Sequence, residues 1–111
     1  MALVAGDVAA AARPYARLFD APVRAIAEGL LIETGTAPLA IATAESLAHR
    51  LRGVRLIARP APWAAALFIR VADREVAAEA LAAGGLAPTV LPDGSVAVGA
   101  DRGHGVALVF G

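Results

Sequence analysis

The apolar and polar positions of this chain fall into two matching runs. Residues 3–22 align without a gap on residues 69–88. Each run holds an apolar segment, an aspartate (Asp7, Asp73), an alanine-rich stretch and an Ala-Pro pair (Ala21-Pro22, Ala87-Pro88). In the first, Val8, Ala11, Ala12, Tyr15, Leu18 and Phe19 recur at helical spacing, which predicts a helix over 8–19. In the second, Val76, Ala77, Ala80 and Leu81 predict one over 74–84. Asp7 and Asp73 precede these runs as N-caps, each carboxylate accepting from free amides of a first turn. Pro14 falls inside the first helix, where a lost hydrogen bond predicts a kink or a tightened turn. Gly84-Gly85 supplies the stop for the second.

Short alternating segments follow each helix. They predict strands near 23–27, 30–34 and 38–42, then near 89–91, 95–98 and 105–110, with Pro92-Asp93-Gly94 as a turn. Together with the apolar segment before each helix, both halves read β-α-β-β-β. Between them, residues 45–52 read as a short helix capped by Thr43 or Ser46 and ended at Gly53. Arg59-Pro60-Ala61-Pro62 reads as an extended linker. The expectation is one α+β domain over 1–111, with module one near 1–52, a linker near 53–62 and module two near 63–111. A ferredoxin-like sandwich is the rival architecture, because it also repeats β-α-β but uses only four strands.

Composition narrows the chemistry. The chain of 111 residues is 59% hydrophobic, and alanine supplies about half of that, so apolar volume is modest for the fraction. No stretch approaches the roughly 18 consecutive apolar residues of a membrane span. The opening residues carry no basic leader pattern, so a cytoplasmic, non-membrane protein is expected. The absence of cysteine excludes disulfides, thiolate metal sites and cysteine nucleophiles. All ten basic residues are arginine, which excludes a lysine Schiff base and a phosphate-binding loop of the lysine type. Arg50, Arg52, Arg55 and Arg59 cluster, but with one nearby aromatic, Trp63, they read as a solvated connector and not as a nucleic-acid surface.

The twice-repeated unit resembles the vicinal oxygen chelate superfamily, the glyoxalase and bleomycin-resistance fold, and within it the small glyoxalase-like domains. The residues that carry the likeness are Leu67-Phe68-Ile69-Arg70-Val71-Ala72-Asp73, the helix closed by Gly84-Gly85, Asp93-Gly94-Ser95-Val96-Ala97-Val98, and Gly105-Val106-Ala107-Leu108-Val109-Phe110. The first module matches through residues 4–19 and, more loosely, 39–43. The resemblance implies one cupped mixed sheet whose concave side holds a ligand and whose convex side is covered by helices. Alternation then assigns Leu67, Ile69, Val71, Val106, Leu108 and Phe110 to the helix side. Ala66, Phe68, Arg70, Gly105, Ala107 and Val109 fall on the cup side.

Metal-dependent members of that family place ligands on the first and last strands of each module. The corresponding positions here include Ala40, Ala66 and Val109, which cannot coordinate an ion, so neither a metal nor another cofactor is expected. Arg70 interrupts an apolar strand on the cup side and needs a partner, either Glu33, another carboxylate, or an anionic ligand. Phe68 and Trp63 are candidate cup walls, and both also fit plain packing, Trp63 at a subunit interface. His104, between Gly103 and Gly105, is a rim histidine or a simple loop residue. Glu33 and His104 are the only candidates for proton transfer, with no visible nucleophile to serve. His49 reads as solvated, and neither Ser46 nor Ser95 shows a triad arrangement.

These residues leave three functions in competition. One is a metal-independent domain that binds a small, partly apolar molecule, anionic if Arg70 is its anchor. The second is a lyase or isomerase of the same fold using Glu33 and His104. The third is a ligand-free dimerisation module. A homodimer is expected by resemblance in each case, with no nucleic-acid or membrane partner.

Overall fold

The computed structural model describes residues 1–111. The fold is α+β, with three helices among eight strands of mixed direction. Eight strands exclude the four-stranded ferredoxin-like rival. The chain divides into two compact units. Unit one comprises Met1–Arg50 and Ala58–Ala64; unit two comprises Leu51–Ile57 and Ala65–Gly111. The expected linker is therefore shared out, its first part folding with the second unit and its last part with the first.

Unit one contains β1 (Ala2–Val4), α1 (Val8–Phe19), β2 (Val23–Ile26), β3 (Gly29–Ile32), β4 (Leu39–Ala42) and α2 (Ala44–Arg50). Its strands lie in the order β2-β3-β4-β1, with β1 parallel to β4 and the other pairs antiparallel. Asp7 caps α1 as its sequence position requires, its Oδ1 accepting from the Ala10 amide at 3.0 Å. The helix runs unbroken through Pro14, which is exposed, so water can reach the Ala10 carbonyl that proline leaves without a donor. It ends at Asp20, which takes the left-handed conformation and returns its amide to Ala16 and Arg17. The core joins Leu3, Ala5, Ile32, Leu39 and Ile41 of the sheet side to Ala12 of α1, with Val8, Ala11 and Tyr15 packed against it. Thr43 caps α2, its hydroxyl accepting from the Ser46 amide at 3.2 Å.

Unit two contains most of β5 (Trp63–Ile69), then α3 (Arg74–Ala83), β6 (Thr89–Val90), β7 (Val96–Val98) and β8 (Ala107–Phe110). Its order is β5-β8-β7-β6, with β5 parallel to β8. Asp73 caps α3, accepting from the amides of Glu75 at 2.9 Å and Val76 at 3.3 Å. The expected turn is present: the Gly94 amide donates to the Leu91 carbonyl, and Asp93 Oδ1 accepts from the amide and hydroxyl of Ser95. Those bonds satisfy the hydroxyl of Ser95, a buried polar side chain. The last strand starts later than its alternation suggests. His104 and Gly105 take positive φ of 58° and 93° and hold the chain in a turn until Val106.

The register places Leu67 and Ile69 on one face with Leu108 and Phe110, and Ala66 and Phe68 on the other with Ala107 and Val109. Burial differs from expectation on both faces. Leu67 and Ile69 are each 39% exposed and α3 buries no residue fully, so the helix does not cover the large side chains assigned to it. The face of small residues is instead closed, with Ala66, Ala97, Ala107 and Val109 all buried. Within the same unit, Leu51–Ile57 reaches β6 and the residues that follow β7. Gly53 lies near the Thr89 methyl, and the Arg55 carbonyl accepts from the Ala100 amide at 2.7 Å.

Ile41 is wholly buried at the centre of unit one. Ile41→Ala is expected to lower the unfolding free energy in urea by about 2–5 kcal/mol, while Val76→Ala on exposed α3 changes it by less than about 0.5 kcal/mol. If the alanine variant does not fold, Ile41→Val should still show a loss of about 1 kcal/mol.

Candidate functional site

The β2–β3 hairpin and α2 together frame the cleft of interest. Ile26 and Gly29 pair across a two-residue loop, Ala27-Glu28. Gly29 is required there: a Cβ would sit 2.2 Å from the Ile41 carbonyl oxygen, and its φ is +157°. The loop consequently lies close over the end of β4, from which the chain passes directly into α2. Glu45, Ser46, His49 and Arg50 share one side of this helix, since positions four apart are stacked neighbours. Ala27, Glu28 and these four residues line a solvent-open cleft of about 430 Å³.

Arg50 Nε stands 3.4 Å from Glu28 Oε1 and ties the hairpin tip to the helix. With side chains 40% and 19% exposed, this single-contact pair contributes at most about 1 kcal/mol. Its structural effect is to fix the wall of the cleft. The lining therefore offers two carboxylates, one guanidinium, an imidazole and a hydroxyl, enough to recognise a small polar molecule by hydrogen bonds of both senses.

The residues singled out by sequence do not line this cleft. Arg70 follows the end of β5, is exposed, and makes no hydrogen bond or ion pair. It is not an interruption inside the strand, because pairing with β8 stops at Ile69. Glu33 is exposed, and its partner is Arg24, at 3.3 Å from Nη2. This ion pair, not one with Arg70, is what the carboxylate makes. Phe68 is half-buried beside Val109 on β8. Trp63 opens β5 after the cis Ala61-Pro62 peptide, and alternation along the strand gives it the opposite side from Phe68. His104 is exposed in its turn. No three His, Cys, Asp or Glu side chains converge in a geometry that would hold a metal.

Of the lining residues, the sequence alone gives Arg50 and His49 as solvated and Ser46 as a cap candidate, and it does not single out Glu28 or Glu45. The available signal was the spacing on α2, where Glu45 and His49, and Ser46 and Arg50, are each four apart. That pattern on a seven-residue helix is also what a solvated connector shows. Glu28 could be added only by knowing where the hairpin tip lands.

No helix is long and apolar enough to cross a membrane. Comparison of the chain with protein-family models, curated proteins and solved structures finds no match.

Two outcomes follow from these placements. Arg70→Leu is expected to shift the unfolding free energy by less than about 0.5 kcal/mol, because the side chain is exposed and unpaired. A loss of several kcal/mol in a denaturant titration would contradict that placement. Equilibration with zinc, nickel or manganese, then desalting and elemental analysis, should leave far less than one equivalent per chain. Ala40, Ala66 and Val109 have no donor atoms for the ion.

Proposed function

We propose that this chain is a glyoxalase-like domain of two β-α-β-β-β modules that binds a small molecule without a metal, and that the molecule sits in the cleft between the β2–β3 loop and α2. The cleft carries this reading. Its volume, about 430 Å³, falls within the range of small-molecule pockets, and its polar groups come from two elements pinned by the Glu28–Arg50 pair. Each unit runs strand, helix and three strands, with α2 added only in unit one, and that shared order supports the fold assignment. Arg70 was the reason to expect an anionic ligand; the cleft lining, with two glutamates and one arginine, does not favour an anion. The lyase or isomerase reading relies on Glu33 and His104, neither of which lines the cleft.

A ligand-free dimerisation module is the second reading, and the closed face of Ala66, Ala97, Ala107 and Val109 favours it, since no open cup is left there in unit two. The two readings separate in a fragment screen by amide chemical shifts, using small amines, carboxylates and polyols as probes. The binding reading expects saturable shifts confined to the amides of residues 27–28 and 45–50. Ser46→Trp, which fills the cleft, should abolish them, and Arg70→Leu should leave them intact. Shifts that disappear with Arg70→Leu, or no saturable shift at these amides from any probe, would refute the cleft as the binding site.

A further inference from the structure

The cleft at α2 holds polar groups that the protein itself leaves unsatisfied. Two glutamates and one arginine line it. Arg50 engages one oxygen of Glu28 at 3.4 Å, so the single guanidinium is already committed to a carboxylate of the chain. Glu45, exposed in the first turn of α2, makes no hydrogen bond or ion pair. The Ser46 amide donates to the Thr43 hydroxyl, while the Ser46 hydroxyl bonds to nothing in the protein. Charge in the lining is therefore uncompensated, and the excess is a carboxylate beside a hydroxyl.

The chemistry of these groups narrows what can satisfy them. An ionised carboxylate only accepts hydrogen bonds, and its strongest partner is a donor that carries positive charge. A metal ion does not meet the requirement, because no three His, Cys, Asp or Glu side chains converge to hold one. A quaternary ammonium does not meet it either. Such groups are held over aromatic faces, and no aromatic side chain lines the cleft. A primary or secondary ammonium keeps the N–H donors that Glu45 lacks. The Ser46 hydroxyl, which both donates and accepts, matches a hydroxyl on the same molecule.

Taking the cleft as the binding site, we propose that it receives a small hydroxylated amine, whose ammonium donates to Glu45 and whose hydroxyls meet Ser46. The Glu28–Arg50 pair has the complementary role. By occupying the guanidinium, Glu28 removes the group that would otherwise capture a carboxylate ligand. The cleft thus discriminates by charge, with the hairpin tip suppressing the anion and α2 holding the cation.

The test follows amide chemical shifts of the whole chain, in about 0.15 M salt to screen diffuse attraction. Three probes of one shape are compared: 3-amino-1,2-propanediol, glycerol and glycerate. The amine should shift the amides of residues 27–28 and 45–50 saturably, with an affinity at least about tenfold above that of either other probe. Glu45→Gln keeps the shape and removes the charge, so it should weaken the amine by about tenfold. Glu79→Gln, the same change on exposed α3 and outside the lining, should bind the amine as the wild type does. Glycerol or glycerate binding as tightly as the amine would overturn the ammonium assignment and leave the cleft reading standing. So would an amine affinity that Glu45→Gln leaves unchanged, or that Glu79→Gln lowers equally. No saturable shift from any of the three would overturn both.

Discussion

The close approach of Gly29 to the Ile41 carbonyl is the constraint on which the first unit turns. A Cβ at that position would lie 2.2 Å from the oxygen, and the atoms it would meet are all backbone of Ile41 and Ala42, with no flexible side chain to give way. With glycine there, β3 begins hard against the end of β4, and the two-residue loop before it is carried over the start of α2. Glu28 then reaches Arg50, and the cleft acquires its second wall. The same close hairpin sets the phase of the β2–β3 ladder and so decides which backbone groups of β2 face outward. Any side chain at residue 29 would be paid for in all three places.

Alanine is the second determinant, acting through volume. In each unit one face of the central strands is built mostly from small residues: Ala2, Ala40 and Ala42 in the first, and Ala66, Ala97 and Ala107 in the second. All are buried. Burying an alanine removes little apolar area, so such faces stabilise by close packing more than by the transfer of large side chains. Larger residues are left partly wet, as Leu67, Ile69, Val76 and Val90 show. The hydrophobic fraction of the sequence therefore overstates the size of the core.

The elements were largely legible because their signals are local. Asp7 and Asp73 cap their helices, Gly85 takes the positive φ expected after α3, and Pro92-Asp93-Gly94 makes its turn. These depend on a few neighbouring dihedrals and on short-range hydrogen bonds. The site was not legible, for two reasons. Arg70 looked buried because alternation was continued one residue past the point where β5 stops, and a strand's end is set by its partner's length. Phe68 and Trp63 were grouped by chemical kind, although an odd separation along a strand sends them to opposite faces. The cleft was missed because it needs Glu28 beside α2, a contact across more than twenty residues that no local pattern announces.

The hairpin and α2 both contribute to the cleft, yet they do so through different groups. The hairpin brings the side chain of Glu28 at the loop, held from α2 by Arg50. The helix brings Glu45 and Ser46, whose carboxylate and hydroxyl find no partner in the protein. Frame and recognition are thereby separated: a change at Glu45 alters what the cleft attracts and leaves the Ile26–Gly29 pair and the loop it closes in place. A change at Gly29 would displace the wall itself. Variants at Glu45 can therefore report on the charge of a ligand, and variants at Ser46 on the space it fills, since both lie on α2 and not on the hairpin. That separation allows a fold with so small a core to be dissected by substitution, because neither position supplies buried apolar area that the unit depends on to stay folded.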